Sequence, residues 1–503
     1  MIKVTTVEKR PPRPMNGRLH GFDGTLDALQ DLNVPKLDRD ELTHNRGLAK
    51  VRPPMSTPDY WNPELETMPW PIVQQWQARQ IAAALPDLRA RSLMYGQLFA
   101  SLPNDAPITT LADLARLPFT AKDDLRAAQE LASDERPFGL NQAVPSSDIV
   151  QTLCSSGTTG KPLYYALTQR DLDMFSDAIA STWYTTGVRK HDVVAHLVGL
   201  PMVAGGLPYA DGFRRIGATL CWLGGFPTER ILLEMRRLRV TTILATTSFG
   251  QYLAEQWEEV GQQTGIASKL TRFLGGGEPG LSQPQIRSRI GQGLGITQVR
   301  DLMGLGDVIS ALWGECDQQD GMHFNAQRYV AVELIDPDSG QTLPWTDGAT
   351  GELVYSAFAR DATPLLRYRS RDHAMVVASS CACGRTSPKI RCIGRTDDML
   401  IYRAMNVFPT AIRDLIAAQF AGQVEPLIRI FKERADQVRF DEPIPLQVEA
   451  ASAFDLRGAA ALAGAIEQAV RVQLQVRVTV TVLASGTLPT SAYKNPLTAL
   501  RPL

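Results

Sequence analysis

A short segment at residues 153–165, "LCSSGTTGKPLYY", combines the residue types that hold a multiply charged anion. Glycines let backbone N–H groups approach a ligand closely, hydroxyl groups add donors, and a lysine adds a positive charge. A nucleotide phosphate suits this set best, and a plain hairpin turn is the alternative. The candidate phosphate-binding residues are Ser155, Ser156, Gly157, Thr158, Thr159, Gly160 and Lys161.

The surrounding residues distinguish this segment from a Walker A phosphate loop. A Walker A loop requires glycine at the position of Ser155, serine or threonine at the position of Pro162, and a helix directly afterwards. Here the chain continues as "LYYALT", whose aromatic and aliphatic residues are typical of a strand. The sequence therefore predicts a loop that joins two strands and folds over a triphosphate.

Three cysteines and one histidine form a second candidate set. Cys316 and His323 lie in "GECDQQDGMHF", and Cys381 and Cys383 lie in "CACG". Three thiols and one imidazole make a tetrahedral set suited to structural zinc, which would stiffen a loop without taking part in the reaction. The alternative is three buried thiols and a surface histidine, because C-x-C is less common than C-x-x-C in such sites.

Composition narrows the classes of function. A formal net charge of -1 over 503 residues gives no electrostatic argument for a nucleic-acid partner. The longest uncharged run, residues 193–210, contains His196, two prolines and several glycines, so it predicts a buried strand and a loop, with no membrane span. The first residues lack the apolar core of a signal peptide, which predicts a cytoplasmic protein with small-molecule partners.

The hydrophobic pattern predicts the framework that positions these residues. Residues 1–58 show no sustained periodicity and predict a weakly structured N-terminal extension. From residue 59 to 394, helical patterns alternate with β-branched runs such as "ATLCWL", which is typical of α/β layers with largely parallel strands. Residues 395–503 contain helical patterns at 409–420 and 459–472 among strands, which predicts a small α+β domain.

Four motifs occur in the order found in adenylate-forming enzymes: "SSGTTGKP", "FLGGGEPG", "LLRYRSRD" and "GRTDDMLIYRAMNVFP". With "YWNPELETMP", "LPFTAKDDLR" and "FGLNQAVP", they make the chain from residue 60 onward resemble the phenylacetate-CoA ligase group. The resemblance implies a large N-terminal α/β adenylation domain and a small mobile C-terminal α+β lid domain. It also implies that ATP converts a carboxylic acid into an acyl adenylate, which CoA then attacks.

The resemblance assigns nucleotide-binding roles to several residues. The loop at 155–161 matches the family loop that grips pyrophosphate. Asp372 matches the aspartate that accepts hydrogen bonds from the ribose, and Arg395 matches an arginine that meets the nucleotide near the domain junction. The adenine-binding turn is matched by Gly276, Gly277, Glu278 and Pro279. A strand-end turn and an exposed aspartate are the structural alternatives.

Two further roles follow from the resemblance and concern the small domain. Lys494, in "GTLPTSAYKNP", matches the lysine that bridges the carboxylate and the α-phosphate, where it stabilises charge that develops during adenylation. Asp397 falls at the hinge of the family. Some members of the phenylacetate-CoA ligase group also hold zinc at the positions of the cysteines and the histidine described above.

The chain departs from the family pattern at three places, and the first two concern the reaction. The family usually has Tyr-Gly-Leu-(Ser/Thr)-Glu where this chain has "MGLGDV", so Met303 and Gly306 bring no hydroxyl group. Asp307 replaces the glutamate, is one methylene shorter, and is expected to reach Mg2+ through water, which magnesium tolerates. Ala404 stands where glycine normally lines the channel for CoA. The alternative function is therefore an adenylating enzyme that passes the acid to an amine or another non-CoA nucleophile.

The segment "HLVGLPMVAGGLP" aligns with a family loop beside the acyl pocket and indicates the kind of acid. Val198, Leu200 and Val203 replace aromatic residues of that loop, so an apolar aryl or alicyclic acid fits best. The predicted acid-binding residues are Val203, Gly205, Gly206 and Phe249, with a core position as the alternative for Phe249. A homodimer is compatible with this interpretation. A nucleotide-binding scaffold without turnover is disfavoured, because the residues for phosphate, ribose and catalysis are all present.

Overall fold

The computed structural model describes residues 60–102, 108–154, 162–198, 202–277, 280–395, 398, 400–403, 405–434, 437–488 and 496–501. The predicted N-terminal extension at residues 1–58 lies outside this part of the chain. Within it, a large α/β portion is followed by a small α+β portion, which confirms the predicted fold class. The boundary between residues 394 and 395 stays a prediction.

The large portion begins with four helices and a pair of strands, and helices and strands then alternate from Gln169 to the strand that begins at Gln298. Its helices are α1 (Pro63–Thr67), α2 (Trp70–Arg91), α3 (Leu93–Leu98), α4 (Lys122–Glu130), α5 (Gln169–Thr185), α6 (Leu207–Ile216), α7 (Thr228–Arg237), α8 (Thr247–Thr264) and α9 (Pro284–Leu294). Its strands are β1 (Gln151–Cys154), β2 (Tyr164–Leu167), β3 (Val193–His196), β4 (Thr219–Trp222), β5 (Thr242–Ala245), β6 (Arg272–Gly275), β7 (Gln298–Leu305), β8 (Ile309–Glu315), β9 (Met322–Phe324), β10 (Ala331–Ile335), β11 (Thr342–Leu343), β12 (Thr350–Ala357), β13 (Leu365–Ala378) and β14 (Lys389–Arg395).

Twelve of the described strands form one mixed sheet with the order β11-β10-β12-β13-β14-β9-β8-β7-β6-β5-β3-β4. Strands β4, β3, β5, β6 and β7 run parallel, and helices α6 to α9 connect them. From β7 to β11, every pairing in this sheet is antiparallel. The expectation of largely parallel strands is wrong for this half, because these strands are joined by turns and loops without the crossover helices that parallel pairs use.

Helices cover both faces of the parallel half. Neighbouring residues of a strand point to opposite faces. Accordingly, Val194 packs into the core beside α5 and α6, while Ala195 packs into the core beside α7, α8 and α9. On the first face, Trp183 stacks on Phe213 with ring centroids 4.8 Å apart. Because helices cover both faces, a ligand can bind only at the ends of the parallel strands, where the connecting segments begin.

Strands β1 and β2 form a separate antiparallel pair. Cys154 at the end of β1 pairs with Tyr164 at the start of β2, so the glycine-rich segment 155–161 joins two strands, as predicted. The segment itself lies outside the described residues. The backbone N–H of Cys154 donates to the carbonyl oxygen of Met202 at 2.9 Å, and Cys154 forms an isolated bridge with Val203. The strand pair is thereby joined to the connection between β3 and α6.

The small portion has a core of its own, in which Ile412, Val448 and Ile466 pack together. Its helices α10 (Pro409–Gln419) and α11 (Ala459–Leu474) begin at the predicted residues. Its strands are β15 (Leu400–Tyr402), β16 (Met405–Val407), β17 (Val424–Lys432), β18 (Arg439–Phe440), β19 (Ile444–Ala450), β20 (Val478–Leu483) and β21 (Thr498–Leu500). They form sheets of order β16-β15-β18 and β20-β19-β17-β21.

No described helix combines enough length with enough apolar surface to cross a bilayer.

Candidate functional site

The carboxyl ends of four neighbouring parallel strands define the edge at which the candidate residues collect. His196, Trp222, Ala245 and Gly275 are the last residues of β3, β4, β5 and β6, which lie side by side in the order β6-β5-β3-β4. The connections that follow β3, β5 and β6 contain the predicted acid-binding and adenine-binding residues. Ligands of open α/β sheets bind at this edge. The fold therefore places the two predicted subsites along one edge.

Gly276 and Gly277 follow β6 and begin the predicted adenine-binding turn. A Cβ atom on Gly276 would lie 2.7 Å from the carbonyl oxygen of Leu302, so a larger residue does not fit without a shift of β7. Gly277 has a φ of 82°, which favours glycine. Packing against β7 thus requires Gly276, and the backbone conformation favours glycine at position 277, independently of any bound base.

The carboxylate of Asp307 is buried just after β7 and is held by side chains from three other elements. Tyr368 of β13 donates its hydroxyl proton to Oδ2 at 2.8 Å, and Tyr165 of β2 donates to Oδ1. Lys122, the first residue of α4, places its Nζ 3.4 Å from the carboxylate. Both carboxylate oxygens therefore accept hydrogen bonds from the protein.

Burial and the charge of Asp307 together keep the two tyrosines protonated. Burial raises the pKa of Tyr165 and Tyr368 well above the usual range, and the negative charge of Asp307 adds to this effect. Both hydroxyls stay protonated donors at neutral pH. Arg360 adds positive charge and donates to the backbone carbonyl of Asp307 at 2.6 Å. This carboxylate is a fixed acceptor, which suits the water shell of Mg2+ better than direct coordination.

Asp372 and Arg395 occupy directly paired positions on β13 and β14. A guanidinium nitrogen of Arg395 lies 3.2 Å from Oδ1 of Asp372, and the backbone N–H of Asp372 donates to Oγ of Ser370 at 2.9 Å. The charges of both residues also affect the pKa of Tyr368, which Arg395 lowers and Asp372 raises. Tyr368 is the residue that donates a hydrogen bond to Asp307. The structure thus brings the predicted ribose, nucleotide and magnesium residues into one neighbourhood.

His196 holds both ends of the connection between β3 and α6, which contains most of the predicted acid-binding residues. Its Nδ1 accepts a hydrogen bond from the backbone N–H of Val198 at 3.2 Å, and its Nε2 donates to the carbonyl oxygen of Gly206 at 3.0 Å. Burial lowers the pKa of His196 to about 4, so the neutral ring serves as donor and acceptor at once. Val203 and Gly205 lie between these two points.

The remaining predicted residues divide into one that the structure describes and several that it does not. Phe249 lies near the start of α8, packs partly against the core beside α7 to α9, and stacks on Tyr252 with centroids 6.2 Å apart. This position agrees with the core alternative, and its acid-binding role stays a prediction. The residues outside the described ranges are Leu200, Glu278, Pro279, Asp397, Ala404, Lys494 and the segment 155–161.

The four residues predicted to bind zinc come together in the structure. Cys316 follows β8, His323 lies in β9, and Cys381 and Cys383 lie between β13 and β14. Strand β9 pairs with β8 on one side and with β14 on the other, which brings these segments side by side. Their four candidate ligand atoms all lie within 4.8 Å of one another.

The distances within the cysteine and histidine cluster match a tetrahedral metal site. The Sγ atoms of Cys316 and Cys381 are 3.7 Å apart, and Sγ of Cys383 lies 3.3 Å from Nε2 of His323. A tetrahedron with Zn–S bonds of about 2.3 Å has sulfur–sulfur edges of about 3.8 Å. Nδ1 of His323 donates to the carbonyl oxygen of Ser387 at 3.1 Å, which leaves Nε2 as the ligand atom that faces the thiols.

Two of the thiols favour the thiolate form, which is the form that binds metals. Hydrogen bonding to Cys316 lowers the pKa of Cys381 and of Cys383 below the usual thiol range. The same hydrogen bonds raise the pKa of Cys316. The buried Arg385, paired with Glu66 at 2.9 Å, adds positive charge close to Cys383. The donor set therefore fits zinc.

Several residues of the site carry no local sequence signal. Tyr165, Tyr368 and Lys122 lie in segments interpreted above as a strand, a ribose-binding motif and a family signature. Their convergence on Asp307 depends on the pairing of distant strands. The sequence also does not predict that His196 binds the backbone of both Val198 and Gly206. The only signal is that a histidine at the end of a buried strand needs hydrogen-bond partners.

Replacement of Tyr165 by phenylalanine removes one hydrogen bond to a buried carboxylate. We expect the free energy of unfolding to fall by about 1.5–3 kcal/mol, the usual contribution of a hydrogen bond to a charged group. Tyr164→Phe is the matched control, because Tyr164 is the preceding residue and its side chain is exposed. Chemical denaturation at neutral pH measures both variants, and equal stability would contradict the role given to Tyr165.

Residues 64–357 match the family of AMP-binding enzymes. The phenylacetate-coenzyme A ligase of Thermus thermophilus is 33% identical over 362 residues, which are 71% of this chain and 78% of the relative. The phenylacetate-coenzyme A ligase of Escherichia coli is 32% identical over 359 residues, 70% of this chain and 78% of the relative. A crystal structure of 2-hydroxyisobutyryl-CoA ligase in the postadenylation state shares the fold, with a TM-score of 0.78, 24% identity, and coverage of 90% of this chain and 94% of that chain. The chain therefore belongs to the AMP-binding, adenylate-forming enzymes and is similar to the phenylacetate-CoA ligases among them.

Proposed function

We propose that the protein is an ATP-dependent carboxylic acid–CoA ligase that works through an acyl adenylate. The observation that carries this proposal is the neighbourhood formed by Asp307, Asp372 and Arg395. Tyr368 donates a hydrogen bond to Asp307 and interacts electrostatically with the other two residues. Strand β2, which follows the phosphate segment 155–161, contributes Tyr165 to the same neighbourhood. The phenylacetate-CoA ligases that match most of the chain support CoA as the acceptor.

In the first half-reaction, a carboxylate oxygen of the acid attacks the α-phosphorus of ATP and pyrophosphate leaves. The segment 155–161 holds the departing pyrophosphate, and Asp372 with Arg395 holds the ribose and the adjoining phosphate. Asp307 would orient the water shell of a Mg2+ ion bound to ATP, and such an ion would neutralise phosphate charge. Lys494 bridges the carboxylate and the α-phosphate where charge develops.

In the second half-reaction, the sulfur of CoA attacks the acyl carbonyl, the C–S bond forms, and AMP leaves with the former carboxylate oxygen. Residues 395–503 act as a lid that turns about Asp397 between the two steps. One site then serves both half-reactions, because the lid exchanges the groups that it presents to the adenylate.

We assign the acid to the apolar aryl or alicyclic class. Val203, Gly205, Gly206 and Phe249 bring no charged group to the predicted pocket. An apolar wall favours an acid whose carboxylate is its one polar group. Phenylacetate is the acid in the names of the relatives, and the valines of this chain extend the class to larger acids.

We also propose a structural zinc ion bound by Cys316, His323, Cys381 and Cys383. All four coordination positions are supplied by the protein, so the ion has no open position for a reactant. It would fasten the connection between β13 and β14 to β9. Strand β13 carries Asp372 and strand β14 carries Arg395. The zinc would therefore stabilise the proposed nucleotide site without contacting the nucleotide.

Purified protein is expected to contain about one zinc ion per chain, measured by plasma mass spectrometry. Cys383→Ala removes one ligand, so we expect loss of the metal and a lower midpoint of thermal unfolding. Cys221→Ala is the matched control, because Cys221 is half-buried and lies outside the cluster. Folded wild-type protein with almost no zinc would refute the site.

Lys494→Ala is expected to slow acid-dependent pyrophosphate release by about 100-fold or more. ATP binding, measured by calorimetry, should stay unchanged, because the lysine stabilises charge that develops in the transition state. Lys269→Ala is the control, since Lys269 is exposed and precedes β6. Wild-type pyrophosphate release by Lys494→Ala would exclude the assignment.

The ligase itself is tested by pyrophosphate release with ATP, Mg2+ and a panel of aryl and alicyclic acids, with and without CoA. We expect release that depends on the acid, acceleration by CoA, and a thioester product identified by mass spectrometry. Release that is indifferent to CoA would indicate a non-CoA nucleophile. No release with any acid would contradict adenylation.

A further inference from the structure

The connection from β3 to α6 is fastened at both ends by one buried side chain. His196 accepts a hydrogen bond from the backbone N–H of Val198 at 3.2 Å and donates to the carbonyl oxygen of Gly206 at 3.0 Å. Its imidazole ring is fully buried. The ring is therefore a bridge between the beginning and the end of this connection.

Trp222 of β4 completes the fastening at Val198. Its indole ring stacks on the imidazole of His196, with centroids 4.9 Å apart and planes inclined by 10°. Its Nε1–H donates to the carbonyl oxygen of Val198 at 3.1 Å. Both backbone polar groups of Val198 are thus bound by side chains at the ends of neighbouring strands, which fixes the position of the valine.

The far part of the connection folds back onto the same valine. A Cβ atom on Gly205 would lie 3.5 Å from Cγ1 of Val198 and 3.3 Å from the ring of Tyr209. Val203 is bridged to Cys154 of β1. The connection is therefore held from three sides, by β1, by the rings of β3 and β4, and by α6. These contacts keep the connection from moving into the predicted acid pocket.

The side chains on this wall are small. The connection presents Val198, Val203 and Gly205, and none of these residues has a large side chain. A site that cannot relax keeps the space left by smaller side chains as a cavity, and an unfilled apolar cavity is unfavourable. An acid large enough to fill that space gains contacts that a short acid cannot make.

We propose that His196 is a positioning residue that sets the width of the acid pocket, and that the His196–Trp222 pair makes the enzyme prefer bulky apolar acids to short ones. This inference rests on the proposed ligase function and adds to it the size class of the acid. His196 acts through the backbone of Val198 and Gly206, and it contacts neither ATP nor the acid.

Three substitutions separate the contacts of the pair. His196→Leu removes both hydrogen bonds, His196→Gln retains a donor that can reach Gly206, and Trp222→Phe retains a ring for stacking but loses the donor to Val198. His191→Leu is the matched control, because His191 is exposed and lies just before β3. If His196→Leu does not fold, the two partial variants carry the test.

The first readout is kcat/KM for pyrophosphate release with a bicyclic aryl acid and with acetate. Wild-type protein and His191→Leu should prefer the bicyclic acid. His196→Leu should lower this preference by about tenfold or more, mainly through KM for the bicyclic acid. The KM for ATP should change by less than about twofold. An unchanged preference, or an equal loss of activity with both acids, would overturn the inference.

Hydrogen–deuterium exchange at Val198 and at residues 202–206 gives a second readout that needs no turnover. We expect faster exchange in the variants of His196 than in the wild type and His191→Leu. Equal exchange in all folded variants would overturn the inference even when the ligase activity is confirmed. If the wild type releases no pyrophosphate with any acid, the ligase and the acid preference both fail, and the exchange still shows whether His196 holds the connection.

Discussion

A buried negative charge must be compensated by the protein, and the burial of Asp307 is the constraint on which the centre of this structure depends. Lys122 reaches the carboxylate from α4, Tyr165 from β2 and Tyr368 from β13. These contacts draw an N-terminal helix, the strand after the phosphate segment and the antiparallel half of the sheet to one point. Each donor compensates part of the same charge, so the loss of one element would leave a buried carboxylate incompletely paired.

The two halves of the mixed sheet make different contributions, and β7 joins them. The parallel half offers connections at the carboxyl ends of its strands, which hold the predicted adenine and acid residues. The antiparallel half offers Asp372 and Arg395 as directly paired residues of β13 and β14. The cysteine and histidine cluster closes the connection between these two strands, while Tyr368 anchors β13 near its start. The strands that carry the residues predicted to bind the ribose and the nucleotide are thus supported from two ends.

Features that depend on local composition were predictable from the sequence. The glycine-rich segment between two strands, the helices that begin at Pro409 and Ala459, and the cysteine and histidine set follow from residue types, spacing and motif order. Strand direction after Gln298 was not predictable in this way, because a strand pattern records burial and leaves the partner unspecified. The contacts of Asp307 join residues that are distant in sequence, and those of His196 involve backbone atoms. Local composition predicts neither kind of contact.

The hydrogen bond from the N–H of Cys154 to the carbonyl oxygen of Met202 is made by backbone atoms alone. Point mutations in the connection after β3 leave both of these atoms in place, so its side chains can change while the flank of the phosphate segment keeps its attachment. The predicted acid-binding surface is in this way mechanically separate from the predicted phosphate-binding segment. Such a separation lets one fold acquire new substrates through a few substitutions, without rebuilding the step that activates them.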